Sequence, residues 1–313
     1  MPSLGLSTLT TNDIQAEYYV KLEESQTPWV DQVSQQFPAS SSVSEFPGIE
    51  RAARMSKKTS GRTKYRSLTA KKLTVISEEF EEAFEYKKKD LDRDKTGQIL
   101  AQTRSLATAA NDMWPEQLTG LIEAGENTIS PLDGQYWYDD DHAGMDGSQS
   151  NKVSVDIGTT LTALTDDAAV HLLQTGIETI LGINDMVGKP WNGNARQFLC
   201  MVPLKIMSKM RGAATKERLS AGQSNPLFGD DYFSLSVAPN LLLTNPDKIY
   251  FFRLDSDLKP LIRIEEDPPE LISVAEGSEL ERLEGIHRHA VRCWRGVGLG
   301  YWQYSAQLDI AHT

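Results

Sequence analysis

Cysteine is scarce in this 313-residue chain, which has only Cys200 and Cys293. Two thiols cannot build the disulfide framework of a small secreted domain, and they suit a reducing compartment. Cys200 lies in the apolar run 198–202, where a thiol is expected to be buried packing rather than a nucleophile. Long hydrophobic runs are missing too. No stretch reaches the ~18 apolar residues that a membrane-spanning helix needs. The opening MPSLGLSTLTTND has neither a basic n-region nor a long apolar core. A soluble, cytoplasmic protein is expected. Positive charge is in deficit, with 32 Lys and Arg against 44 Asp and Glu, a net charge of −12. The chain as a whole is therefore a poor ligand for nucleic acid. No nucleophile elbow, phosphate-binding loop or paired-carboxylate pattern occurs, and there is no internal repeat.

What is present begins with an uneven charge distribution. Residues 1–50 hold seven acids and one Lys, whereas 51–72 hold nine Lys or Arg and no acid. Acid then returns at Glu78, Glu79, Glu81, Glu82 and Glu85. Residues 1–50 include QQFPASSSVSEFPG, interrupted by Pro38 and Pro47, which reads as an extended arm rather than a packed unit. The basic segment has three readings: a nucleic-acid loop, a solvated loop, or a loop laid over an acidic surface of another copy. The last fits the neighbouring acid best, because complementary charge between subunits sets register and partner choice. Its candidate contact residues are Arg51, Arg54, Lys57, Lys58, Arg62, Lys64 and Arg66.

From Asp94, a possible cap, Ile99, Thr103, Leu106, Ala110 and Met113 recur at helical spacing. Pro115 is expected to kink or restart that helix, and Leu118, Leu121 and Ile122 carry it to Gly125. Residues 131–152 form a polar, Gly-rich connection around one aromatic island. Thr165 caps an amphipathic helix with Ala169, Leu172, Leu173, Gly176, Ile177, Ile180 and Leu181 on one face. Strands are expected at 198–202, 233–239, 248–254, 261–264 and 301–310, with a short helix from Pro203 to Met210.

Several residues invite a chemical reading and weaken under it. Asp139, Asp140, Asp141 and His142 are consecutive, and in extended chain they point to opposite sides, so they do not converge on a metal without a special turn. Asp90, Asp92 and Asp94 resemble a calcium loop, but its sixth position is Lys95 and its twelfth Ala101, where Gly and Glu are required. Gly296, Gly298 and Gly300 lead into a strand rather than a helix. Alternate glycines there mark close approach of another backbone, not a phosphate cradle. His287 and His289 are expected at solvent or an interface, and His171 has no evident catalytic partner. No catalytic, cofactor or metal residue is assigned.

Taken in order, the segments resemble the major head subunits of Mu-like phages and prophages. The resemblance begins with LTVISEEFEE (73–82), read as a strand and an acidic helix start. It passes through WPEQLTGLIEAG (114–125), DGQYWYDDDH (133–142) and FLCMVPLKIMSKM (198–210). It closes with KIYFFRLDSDLKPLIRIEEDPPEL (248–271) and HAVRCWRGVGLGYWQYSAQL (289–308). It spans roughly residues 70–310, and residues 1–72 depart from it. It implies an α+β fold of the Hong Kong ninety-seven capsid type. On that pattern 1–50 is an N-terminal arm and 51–75 an extended loop over a neighbour. Residues 76–152 form a peripheral domain with a spine helix, 153–264 an axial domain, and 265–313 strands returning to the peripheral domain.

The implied function is a virion capsid subunit, assembled in the host bacterial cytoplasm as hexamers and pentamers into an icosahedral head. That head encloses double-stranded DNA as a wall, without sequence-specific binding. A separate scaffold, a portal and a decoration protein are the expected partners; no membrane and no cofactor is. Alternatives are an encapsulin-like compartment and, from another class, a metal-dependent enzyme using the 139–142 cluster. No sustained heptad precedes Leu73, since the run from Ile14 to Val30 is broken by Pro28. A fused coiled scaffold is therefore not expected. The arm should be protease-sensitive in free subunits and protected in shells.

Overall fold

A computed structural model describes residues 11–24, 27–48, 71–93, 97–144, 147–219, 222–229 and 232–312. The chain opens with helices α1 (Thr11–Glu24) and α2 (Pro28–Val33), then strands β1 (Ser34–Pro38), β2 (Val43–Pro47), β3 (Lys72–Ile76) and β4 (Glu78–Lys87). Helices α3 (Lys88–Arg93) and α4 (Gln98–Glu123) precede β5 (His142–Gly144), β6 (Gly147–Gln149) and β7 (Lys152–Asp156). Next come α5 (Asp166–Gly182), β8 (Gln197–Val202), α6 (Met207–Thr215), β9 (Ser234–Pro239) and β10 (Lys248–Arg253). The rest is β11 (Leu261–Val274), α7 (Glu279–Glu284), β12 (Ile286–Leu299) and β13 (Ser305–Ala311).

Two sheets organise this mixed α+β architecture. One has the order β1-β11-β12-β4, the other β7-β13-β10-β8-β9. Alternation along the second sheet sends side chains into two different cores. Phe198, Cys200, Ile249, Phe251, Ala306 and Leu308 pack under α5 and α6. Leu199, Met201, Tyr250 and Phe252 face the other way, onto Leu118, Ile122, Trp137 and Tyr138. A strand buried on both faces must be apolar throughout, hence the unbroken run 198–202. Helix α5 is as expected: Thr165 Oγ1 accepts from Ala168 N at 3.2 Å, and Ala169, Leu172, Leu173, Gly176, Ile177 and Ile180 are buried.

Helix α4 buries the expected stripe of Ile99, Thr103, Leu106, Ala110 and Met113, but two details differ. Its N-cap is Gly97 in the left-handed region, not Asp94, which lies outside the described residues. It also runs unbroken through Pro115, whose missing N–H removes only the bond to the Asn111 carbonyl. Packing holds the helix across that gap, because Met113, Trp114, Pro115 and Leu118 are all buried.

Other expectations need correction. Residues 11–48 are not an extended arm. Ile14 and Tyr18 of α1 bury against Ile99, Leu106, Ala107, Leu271 and Val291. Trp29, Val30 and Val33 of α2 enter the main core, and β1 pairs in parallel with β11. Buried Arg263 and Arg295 flank the Trp114 ring at 5.2 and 4.6 Å, and Arg263 pairs with Asp31, tying α2 to the sheet. The acidic helix start after LTVI is strand β4. Its Glu85 and Glu81 sit opposite Arg288 and Arg292 of β12, and those cross-strand pairs override helix propensity. The 261–264 strand extends to Val274. Residues 302–304 form a turn of 3₁₀ helix, and the strand after it joins the five-stranded sheet instead of returning to the other. Its Ala306, Leu308 and Ile310 complete the core under α5.

Candidate assembly surfaces

The expected contact residues Arg51, Arg54, Lys57, Lys58, Arg62, Lys64 and Arg66 lie outside the described residues, which end at Gly48 before that segment and resume at Lys71 after it. Strands β2 and β3 pair antiparallel with Pro47 opposite Lys72, and Gly48 N donates to the Lys71 carbonyl at 2.8 Å. The chain therefore leaves and returns at one point. The last two bases of the run secure that point, since Lys72 pairs with Glu45 and Lys71 donates to the Leu132 carbonyl.

The hairpin base is seated by the glycine string. A Cβ on Gly296 would lie 2.8 Å from the carbonyl carbon of Ile76 and closer still to its oxygen, and one on Gly298 would strike the Val75 side chain. One on Gly300 would lie 2.7 Å from the Pro260 oxygen. Close backbone approach, expected from the alternate glycines, is what the fold uses. Leu73 and Val75 bury on that side, while Ile76 is 58% exposed on the other.

Beside this hairpin runs β4, an edge strand of its sheet. Glu78, Glu79, Glu81, Glu82 and Glu85 are all exposed. Arg288 meets Glu85 at 2.9 Å, and Arg292 meets Glu79 at 3.1 Å and Glu81 at 2.9 Å. Glu78 and Glu82 make no ion pair among the described residues. Charge along an edge strand also blocks uncontrolled strand addition.

The residues that invited chemistry are spent on structure. His142 is fully buried and stacks on Trp302 at 3.6 Å and 7°. Its Nδ1 meets Asp133 Oδ2 at 2.6 Å and its Nε2 meets Asn151 Oδ1 at 3.1 Å, so neither nitrogen faces an open site. Asp139 accepts from the backbone N–H groups of Tyr136 and Asp140, and Asp141 accepts from Ser148. The 139–142 run thus does not converge, and no group of three metal-ligating side chains occurs among the described residues.

His287 and His289 are buried on the core face of β12, not at solvent. Ser273 Oγ lies 2.8 Å from His289 Nδ1, and Tyr86 Oη lies 3.0 Å from its Nε2. Burial, with His287 beside it, pushes His289 down to about 4. Burial also raises both Cys200 and Cys293, which leaves them as thiols rather than thiolates. No described helix is long and apolar enough to cross a membrane.

The family profile described as Mu-like prophage major head subunit gpT matches residues 8–176. The match takes in the segment before Leu73 that sequence reading had set apart, and it ends before the quoted segments at 198–308. No curated protein matches the sequence. Among solved structures, the chain is similar to the procapsid of bacteriophage JBD30, with TM-score 0.52 and 15% identity over 96% of this chain and 76% of that one. It is similar to the capsid of cyanophage P-SCSP1u, with TM-score 0.58 and 10% identity over 90% and 88%. It is also similar to a virus-like particle from Pyrococcus furiosus, with TM-score 0.53 and 10% identity over 96% and 99%. At such identities the likeness is one of fold, and that fold is the Hong Kong ninety-seven capsid type.

Proposed function

Since this chain belongs to the Mu-like prophage major head subunit gpT family and is a major capsid protein of the tailed-phage virion, we propose that it forms hexamers and pentamers closing into an icosahedral head around double-stranded DNA. The observation that carries the reading is the match across residues 8–176, which includes the hairpin base, the acidic edge strand and the long helix. The work is done by contacts between copies, and no chemical step is assigned to any residue. With a net charge of −12, the subunit encloses DNA as a wall rather than gripping it.

Within that shell, the basic segment 51–66 reaches the acidic face of a neighbouring copy, and the exposed glutamates of β4 are its receiving surface. Exposed ion pairs are individually worth about 0–1 kcal/mol, but every subunit repeats them. Scaffold, portal and decoration proteins complete the set of partners, and assembly takes place in the host bacterial cytoplasm.

A second reading, an encapsulin-like compartment, is favoured by the near-complete mutual coverage with the Pyrococcus furiosus particle. Size-exclusion chromatography of the purified chain tests the shell, which should elute as megadalton particles; a small oligomer under all assembly conditions refutes it. Double-stranded DNA in native particles selects the phage head, and a protein cargo without DNA selects the compartment.

A further inference from the structure

Helix α7 closes the tip of the β11–β12 hairpin and buries none of its residues. Six residues are too few for a helix to hold itself in water, where even about 12–15 are marginal. The tip is nonetheless built at both ends. Ser278 Oγ accepts from Glu281 N at 3.2 Å, and Glu281 Oε2 accepts from Gly277 N at 2.7 Å, a reciprocal cap on the first turn. Gly285, left-handed at φ 66°, closes the other end, its N–H donating to the Glu281 carbonyl at 2.9 Å. Lys88 Nζ reaches Glu281 at 2.5 Å, and Lys88 N donates to the Gly285 carbonyl at 2.8 Å, which fixes the tip to the start of α3.

That fixed helix turns Leu283 outward at 76% exposure, the highest of any large apolar side chain among the described residues. Arg282 and Glu284 flank it and are exposed as well, and neither makes an ion pair among the described residues. The strand leading into the tip adds exposed Ile272 and Val274 to a sheet face that is ordinarily polar. The tip also stands clear of the second sheet. Pairing of β11 with β12 runs from Leu261 and Leu299, in the core shared with Leu199 and Met201, out to Val274 and Arg288. At ~3.4 Å per residue that is roughly 40 Å.

We propose that α7 docks on α7 of a second copy, with Leu283 packed against Leu283. The proposal rests on the shell reading and names one contact that joins its subunits. A helix already capped at both ends loses little freedom on docking, so its single exposed leucine can count in full. The flanking charges choose the occupant. Successive helical side chains stand ~100° apart, so Arg282 and Glu284 lie on opposite sides of Leu283. Two such helices packed side by side and running the same way about a rotation axis set Arg282 of one opposite Glu284 of the other. The antiparallel arrangement sets like charges opposite each other. The Arg-Leu-Glu sequence is thus complementary to itself in one orientation, and complementary charge fixes register between subunits.

Shell yield, read by light scattering and size-exclusion chromatography of the full chain, tests the contact. Leu283→Asp should keep the parental thermal midpoint within about 1 °C, since the side chain is exposed in the free subunit, and lower shell yield at least about tenfold. Leu283→Met should keep shells. Arg282→Glu should lower the yield, and adding Glu284→Arg should restore it. Mild oxidation of the Leu283→Cys chain should give disulfide-linked dimers in shells and none in free subunits; the native Cys200 and Cys293 are buried. Parental yield from Leu283→Asp, a double charge swap that restores nothing, or shells of Leu283→Cys without dimers overturns the proposal while parental shells stand. A parent chain that forms no shell overturns the shell reading, and this contact with it.

Discussion

Replacing Gly296 by Ala tests how the hairpin is mounted. The new methyl would lie 2.8 Å from the Ile76 carbonyl carbon, where ordinary contact begins near 3.4 Å, and nearer still to the oxygen. Strand β3 must therefore retreat by at least about 0.6 Å, and it carries Leu73 and Val75 partly out of a core in which they are 1% and 2% exposed. Overpacking against backbone costs about 1–3 kcal/mol, which for a chain of this size lowers the thermal midpoint by roughly 2–5 °C. Gly298→Ala meets a Val75 methyl instead, which has some freedom to yield, so its loss should be smaller. Gly120→Ala is the control: it lies exposed within α4 with nothing within 4 Å of the added Cβ, and it should gain about 0.5–1 kcal/mol. Calorimetry of free subunits gives the three midpoints, and electron microscopy counts closed shells. A Gly296→Ala subunit that melts with the parent would refute the close-approach argument.

Reversing Lys57, Lys58, Arg62 and Lys64 to Glu should leave folded subunits that assemble poorly, and adding Glu78→Lys with Glu82→Lys should restore shells; light scattering reads both, and normal shells from the first variant would end the charge argument. Acid should weaken the subunit in two stages. His289 is pushed down to about 4 by burial, so about 3 kcal/mol present above pH 6.5 is lost as pH falls towards 4. Glu126 is pushed up by burial but held at about 2 by hydrogen bonds from Lys152, Lys248 and Gln307, so a similar amount is lost between pH 4.5 and 2. Urea midpoints across that range check both stages, and a His289→Gln subunit should lack the first. His142→Ala should cost about 2–4 kcal/mol through the lost Trp302 stack and the stranded Asp133, without abolishing any catalytic turnover; an unchanged urea midpoint would contradict that keystone role.

Features set by local chemistry were readable in the sequence. The α5 cap and face need only Thr165 and the spacing of its apolar residues, and the glycines of β12 have one physical meaning in a strand. Features set by distant partners were not. The glutamates of β4 look helical until Arg288 and Arg292 appear opposite them, some two hundred residues later. Ile14, Tyr18 and Leu22 make too sparse a stripe to announce a helix, and α1 becomes stable by covering α4. His287 and His289 alternate with Arg288 along β12, and nothing local tells which face meets the core. Of the candidate site, the charge contrast was legible and the base of the hairpin only in part: 73–76 reads as a strand, while its partner 43–47 carries Ser and Pro. The unpaired indoles of Trp191 and Trp302 left no signal, since their neighbours come from distant stretches of chain.

The place of β13 bears on the order of events during synthesis. Strand β7 hydrogen-bonds only to β13 within its sheet, and β13 separates it from β10. Residues 152–156 must therefore wait for 305–311, about 150 residues later, before their strand is paired. At ~5–20 residues per second that wait lasts roughly 8–30 s. A nascent chain has no closed sheet to offer a neighbour during that interval, so ribosome-bound chains arrested at residue 300 should be cut by protease between β7 and β10. Emergence of β13 then acts as the gate to the assembling pool, and subunits enter it already closed.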